Sequence, residues 1–298
     1  MKLFIIRFAF ILVSIISTSI CAQDNGYQEI QLTHNNSDNR YASYNQDGEL
    51  IVFESNRDGN WQIYTMDVNG NNQQRIINST ANDRRPTWHP YKNIILFESD
   101  RSGINNLYTY DLSNRILKKV PIDLKGNKFH AQFAPNGMEL IFNYKVRDNN
   151  YNIYTVSIKG KRRKKIIANA FENSYPRFTR RGDAILYFSK KHTENVNDEV
   201  YVHNIIINKD KRLTNSTVNN NFADWSNNGV RIAYSSTTES GNHEIFFMNK
   251  DGSSKKQITF DSGGSTLPNW SPKDINLLIT GQRQGHDQIC KILLKEKL

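Results

Sequence analysis

Between residues 223 and 259 the chain alternates apolar and polar positions in four short bursts separated by turn residues. The first burst ends on Trp225 and turns through Asn227-Asn228-Gly229; the second, 230–235, carries Tyr234. The third, 244–248, holds Phe246 and Phe247, and Lys250-Asp251-Gly252 leads into the fourth, 256–259. Period-two alternation of β-branched and aromatic residues, broken by Asn-Gly and Asp-Gly, predicts antiparallel hairpins. The unit reads as four strands in up-and-down order.

The unit recurs. The aromatic that closes its first strand falls at Tyr44, Trp88, Phe133, Phe178, Trp225 and Trp270, with gaps of 44, 45, 45, 47 and 45 residues. Two residues earlier stands a small or rigid residue: Ala42, Pro86, Ala131, Pro176, Ala223 or Pro268. The turn reads Asp47-Gly48, Asn136-Gly137, Arg181-Gly182 and Asn228-Gly229 in four units. Second strands carry Phe53, Phe97, Phe142, Phe188 and Tyr234 at matching places; third strands carry Tyr64, Tyr108, Tyr154, Tyr201, Phe246 and Cys290. A period near 45 with four strands per unit predicts an all-β, six-bladed β-propeller. One four-stranded sheet cannot bury both its faces, whereas sheets stacked around an axis cover one another. Thr214 and Thr259 each precede the next aromatic by 11 positions, and so does Thr33 before Tyr44. The sixth unit has sequence for only three strands, so segment 29–33 is expected to complete its sheet and close the ring.

P-x-W-S, a turn, an apolar strand, then E-S-x-R-x-G and I-Y-x-x-D resemble the TolB-type propeller repeat. Those residues stand here as Phe53-Glu54-Ser55-Asn56-Arg57-Asp58-Gly59 and Phe97-Glu98-Ser99-Asp100-Arg101-Ser102-Gly103. The resemblance runs from Glu29 to the C-terminus and implies envelope-associated protein binding. TolB itself carries an N-terminal α/β domain, for which the stretch between Gln23 and Glu29 leaves no room. The same propeller also caps hydrolases of the dipeptidyl-peptidase type, whose catalytic domain is likewise not found. Oligogalacturonate lyases share the fold, and their resemblance implies a His-rich metal site at the channel mouth.

The first 22 residues change the picture of where the chain works. Lys2 and Arg7 flank an apolar run ending near Ile20, followed by Cys21-Ala22-Gln23, the pattern of a secretory signal peptide. Cleavage after Ala22 is expected, giving a signal peptide over 1–22, a propeller over 28–298, and a periplasmic or secreted protein. Ile20 and Thr18 do not make a lipobox, so acylation of Cys21 is not expected. Cys290 is then the one cysteine left, so stability must come from burial rather than a disulfide. The formal charge is +10, or +8 with Lys2 and Arg7 set aside. A basic exported protein is drawn to anionic neighbours.

Candidate chemistry is sparse. FDSGG at 260–264 echoes a serine-protease nucleophile region but sits in an inter-unit loop, with no architecture to bring a His and an Asp to Ser262. No G-x-S-x-G elbow or phosphate-binding glycine loop occurs, and no catalytic residue, metal ligand set or cofactor is assigned. His34, His89, His130, His192, His203, His243 and His286 are scattered, and a site including His89 and His130 is conceivable only through the fold. The run KGKRRKK at 159–165 should cap a hairpin at the periphery. It is read as edge protection, or as a contact to an acidic polysaccharide or anionic membrane surface. Nucleic acid is not expected as a partner, since the run lacks interleaved aromatics.

Specificity is sought beside the repeated aromatic. The residue before it is polar and different in every unit: Ser43, Thr87, Gln132, Arg177, Asp224 and Asn269. Three before it stand Tyr41, Arg85, His130, Tyr175, Phe222 and Leu267. If the first strands line a channel, these residues meet a ligand there; the plainer alternative is that they satisfy one another, with Arg177 and Asp224 paired. The expected function is non-catalytic binding of a protein or peptide at the channel mouth by a monomer. The alternative is a polysaccharide lyase using histidines and Arg177.

Overall fold

A computed structural model describes residues 27–147, 150–191 and 197–294; the leader with Cys21, and His192, lie outside them. Six four-stranded antiparallel sheets form the protein. Five sheets run in simple up-and-down order. Blade one is Asn39–Tyr44, Leu50–Ser55, Gln62–Asp67 and Gln74–Arg75. Blade two is Asp83–Trp88, Ile94–Ser99, Asn106–Asp111 and Ile116–Lys119. Blade three is Lys128–Phe133, Glu139–Arg147, Asn150–Ser157 and Lys164–Ile167. Blade four is Asn173–Phe178, Ala184–Ser189, Glu199–Asn204 and Lys209–Arg212. Blade five is Asn220–Trp225, Arg231–Thr237, His243–Asn249 and Lys256–Gln257. Blade six takes Ser265–Trp270, Asn276–Arg283 and His286–Leu293, and its outer strand is Gln28–Gln31 from the chain's other end.

Closure is therefore non-covalent, as the spacing predicts. Gln28 to Gln31 pair with Leu293 to Cys290. Arg283 on blade six ion-pairs with Glu29 on the closing strand and, at 2.8 Å, with Asp261. Asp261 belongs to FDSGG, and a Cβ on Gly263 would lie 2.4 Å from the Gln282 carbonyl oxygen. That loop is built for packing. Thr33 and Thr259 lie just past the outer strands rather than in them, and their hydroxyls accept the amides of Ile289 and Ile245.

Six apolar seams join adjacent blades. Trp88 packs with Val52 and Ile63 of blade one, Phe133 with Leu96 and Leu107 of blade two, and Trp270 with Ile245 and Phe247 of blade five. The repeated aromatic thus fills the gap to the preceding blade. Within each of five blades a second-strand ring pairs with a third-strand ring: Phe53 with Tyr64, Phe97 with Tyr108, Phe142 with Tyr154, Tyr187 with Tyr201, Tyr234 with Phe246. This corrects the expectation for blade four. Tyr187, not Phe188, is the counterpart of Phe53; Phe188 occupies the place of Glu54 and Glu98, on the opposite face of the strand. Two adjacent aromatics made the period-two register ambiguous from sequence.

The E-S-x-R motif is structural. Arg57 and Arg101 fold back so that Nε donates to Ser55 Oγ and Ser99 Oγ, each at 2.9 Å. Their guanidinium groups lie 4.4 and 4.9 Å from the Tyr64 and Tyr108 ring centres and tie down Asn39 and Asp83 at the start of the inner strand. In blade four Lys191 takes that place, 4.6 Å from the Tyr201 ring centre.

Candidate functional site: the axial channel and its mouth

Each inner strand carries one bulge, and the bulge sets what the channel sees. The register slips between Arg40 and Ser43 in blade one and at the equivalent place in the other five. The residue within the slip is left-handed every time: Tyr41, Arg85, His130, Tyr175, Phe222 and Leu267 have φ between 48° and 56°. Such a conformation costs a non-glycine residue on the order of 1 kcal/mol and needs compensation. Three compensations are visible. Glu54 accepts the Arg85 amide at 2.6 Å, Glu98 the His130 amide at 2.5 Å, and Asn143 the Tyr175 amide at 3.0 Å, each from the preceding blade.

The six bulge side chains plug one end of the channel. Tyr175, Phe188 and Leu267 form a small apolar cluster with Tyr41 and Phe222. His130 lies between Tyr41 and Tyr175, with ring centres 6.2 and 5.5 Å away, and its Nδ1 is 3.2 Å from Ser174 Oγ. Burial, reinforced by Arg85 and Arg177, drives the His130 pKa far down, so the ring is neutral. Arg85 bridges to the buried Glu98 at 2.7 Å.

Above the plug lies a cavity of about 120 Å³ lined by Ser43, Thr87, Gln132, Arg177 and Asn269 together with Tyr41, Arg85, His130 and Tyr175. The pre-aromatic residues do more than line it. An inner strand is an edge strand, and its channel-side amides need acceptors. Gln132 Oε1 accepts the Phe178 amide at 3.1 Å, Asp224 Oδ2 the Trp270 amide at 3.2 Å, and Asn269 Oδ1 the Tyr44 amide at 3.3 Å. These three staple blade three to four, five to six and six to one. Thr87 Oγ1 instead donates to the Ala131 carbonyl. Ser43 Oγ is buried without a partner.

Arg177 and Asp224 do not make the direct ion pair that was one reading of the sequence. The Arg177 guanidinium stacks 3.7 Å from the Tyr175 ring centre and donates to the Pro176 carbonyl. It still acts on Asp224 through space: burial raises that carboxyl to about 6, and Arg177 opposes the rise.

The other end opens. A cup of about 260 Å³ is lined by all six repeated aromatics, by Gln132, Asp224 and Asn269 from below, and by the first loop of each blade. Trp88 Nε1 donates to the Ser43 carbonyl at 3.1 Å, whereas the Trp225 and Trp270 indole nitrogens and the Tyr44 hydroxyl are buried without partners. The rim carries His89, Tyr91, Arg180 and Asn227, which the sequence reading did not single out as a set. Their signal was available: each lies one to three residues beyond the repeated aromatic, where the first turn meets the channel end. His89 and His130 belong to different levels of the axis and share no cluster. His89 contacts the Gly137 carbonyl at 3.2 Å and accepts the Tyr91 amide.

Six blades ring a channel sealed at one end and cupped at the other, the geometry of a six-bladed β-propeller. Its type is TolB. The family model for the TolB beta propeller domain matches residues 58–196. No curated protein matches the sequence. Among solved structures, TolB from Acinetobacter baumannii is 17% identical with a TM-score of 0.68, covering 87% of this chain and 64% of that one. This chain therefore spans less than two thirds of that protein's length. A putative TolB from Agrobacterium tumefaciens is 14% identical at a TM-score of 0.71, covering 90% and 96%. An oligogalacturonate lyase in complex with manganese is 12% identical at 0.63, covering 92% and 94%. At these identities the likeness is one of fold.

The lyase neighbour poses a test of whether this channel fits a metal. Among the described residues no group of three or more His, Cys, Asp or Glu side chains is placed to hold one. His130 is the imidazole on the axis, and Arg85 and Arg177 beside it oppose a cation. The donor set does not fit manganese.

Proposed function

We propose that the protein is an exported, envelope-located propeller that binds a protein or peptide segment at the open cup. One observation carries this reading. Exposed large apolar side chains gather on the cup face: Tyr91 is 62% exposed, Met138 64%, Val230 50% and Ile275 41%. All lie in turns at the cup end of their strands. At the plugged end the described exceptions are Ile104, Phe171 and Phe260. A face rich in exposed apolar groups around a concave aromatic floor is the usual mark of a protein-binding surface. Gln132, Asp224 and Asn269 line the cup from below, and the Asp224 carboxylate suits a basic or hydrogen-bonding group. The leader-like pattern of residues 1–22 supports the envelope location.

A photocrosslinking residue at Gln46 or Tyr91 in cells should give discrete protein adducts that the same probe at Phe260 does not. Equal labelling at both ends, or none at the cup, would refute cup-directed binding. The lyase reading has its own assay: release of unsaturated oligosaccharide from polygalacturonate would decide in its favour.

A further inference from the structure

The basic run 159–165 does not act alone, and what surrounds it points to a ligand. It caps the third and outer strands of blade three, and Lys159, Lys161, Arg162, Arg163, Lys164 and Lys165 are all exposed. The tip is held rigidly. Gly160 has φ +73°, and a Cβ there would lie 1.8 Å from the Pro121 carbonyl oxygen, so only glycine lets the tip rest on blade two. Arg163 donates to the Asp123 carbonyl beside it. Blade two then extends the positive surface: its outer strand Ile116–Lys119 is exposed along its whole length and follows the exposed Arg115.

Blade four adds the apolar element. Its tip, between Glu199–Asn204 and Lys209–Arg212, sets Ile205 into the apolar seam that also holds Ile166 and Ile167 of blade three. Ile206 and Ile207 are then left outside, 78% and 66% exposed, on the blade-four turn equivalent to the 159–165 turn of blade three. Exposed Lys209 and Lys211 follow on the same hairpin. Two adjacent isoleucines at a tip have no groove to fill and no neighbour to cover them. An acidic polymer would pair with the lysines and arginines and leave both isoleucines in water. An anionic bilayer satisfies both, headgroups meeting the cations while the tip enters the interface.

We infer that the edge formed by blades two to four, led by Ile206 and Ile207 and flanked by the 159–165 hairpin, docks onto the surface of an anionic phospholipid bilayer. All these tips lie on the cup side, so docking brings the cup near the membrane. The site is separate from the cup and stands whether or not the cup binds a protein.

The test uses a chain beginning at Gln23, which contains all six sheets and the closing strand Gln28–Gln31 but not the apolar leader. Sedimentation with vesicles of phosphatidylcholine alone and of phosphatidylcholine with about a third phosphatidylglycerol should show binding only to the second, weakened by salt. At roughly fivefold per basic residue, reversing Lys161, Arg162 and Lys164 to Glu should cut partitioning at least about 10²-fold, the loss of three cations alone. Changing Ile206 and Ile207 together to Ser should cut it about tenfold. Ile206→Trp should show a blue-shifted emission with anionic vesicles and none with neutral ones. These positions are exposed, so unchanged thermal melts verify folding. Equal binding to neutral vesicles, an unaffected charge-reversal variant, or an unshifted tryptophan overturns the inference. So does loss of binding on charge reversal with no effect of the Ile pair, accompanied by equal binding to polygalacturonate, which would mark a polyanion surface.

Discussion

The two ends of the axial channel are built from the same six strands and have opposite characters. At the plugged end, bulge residues turn inward, aromatic rings meet across the axis, and the one imidazole is kept neutral by burial and two arginines. Buried Glu54 and Glu98 are fully used there, holding strained backbone amides and guanidinium groups. At the open end the rings form a floor instead, indole N–H groups lack partners, and the rim loops are studded with exposed apolar residues. Glu54 and Glu98 mark the end that holds the ring together; an aromatic floor and an exposed apolar rim mark the end with capacity to bind.

The contrast can be broken at its strongest point first. Glu98→Ala would leave Arg85 buried without its carboxylate and the His130 amide without its acceptor. Removing one partner of a buried pair costs about 3–5 kcal/mol, so urea unfolding should show a loss of that order, partly recovered by Glu98→Gln. Phe188→Ala empties part of the plug beside Phe222, 5.6 Å away ring to ring, and should cost about 3 kcal/mol by the same measurement.

The open end should respond in the other direction. Asp224 has its pKa raised by burial from 3.8 to about 6, so the folded state holds that proton more tightly than the unfolded chain. Its contribution to stability is therefore lost as pH rises from near 4 through 6. Asp224→Asn should stabilise the protein above pH 6, by up to about 3 kcal/mol, and converge with the native protein at low pH. Unfolding curves across pH 4–8 test the sign; a gain at low pH alone would refute it. Smallest of all, Trp270→Phe removes a buried N–H that has no partner but thins the packing on Ile245 and Phe247, so the net loss should be about 1–2 kcal/mol. A small loss with weakened cup binding would sharpen the contrast; a loss as large as at Phe188 with unchanged cup binding would show that Trp270 serves the scaffold alone.

The placement of the candidate residues could be read before the fold was seen. All ten candidate positions, from Tyr41 to Asn269, come to the axis, because a period near 45 brings equivalent residues of every blade to one level. Their roles could not be read. The left-handed turn at His130 and its five equivalents leaves no composition signal, since Arg, Tyr, Phe and Leu fill the same place. Gln132 and Asn269 looked like free ligand-facing amides, yet each accepts a neighbour's backbone N–H. Phe188 was misplaced by one residue because two aromatics in succession satisfy either face of a strand.

By itself the sequence determined the number of blades, the strands in each and the closure by residues from the opposite end. Those follow from local alternation and its repetition, and each unit records them independently. Only the tertiary structure decided which end of the channel is sealed and which polar groups are already used. It also left Ile206 and Ile207 exposed on the blade-four turn equivalent to the 159–165 turn of blade three. These depend on where one blade's side chains meet the next blade's backbone, a relation between residues about 45 apart that no local pattern encodes.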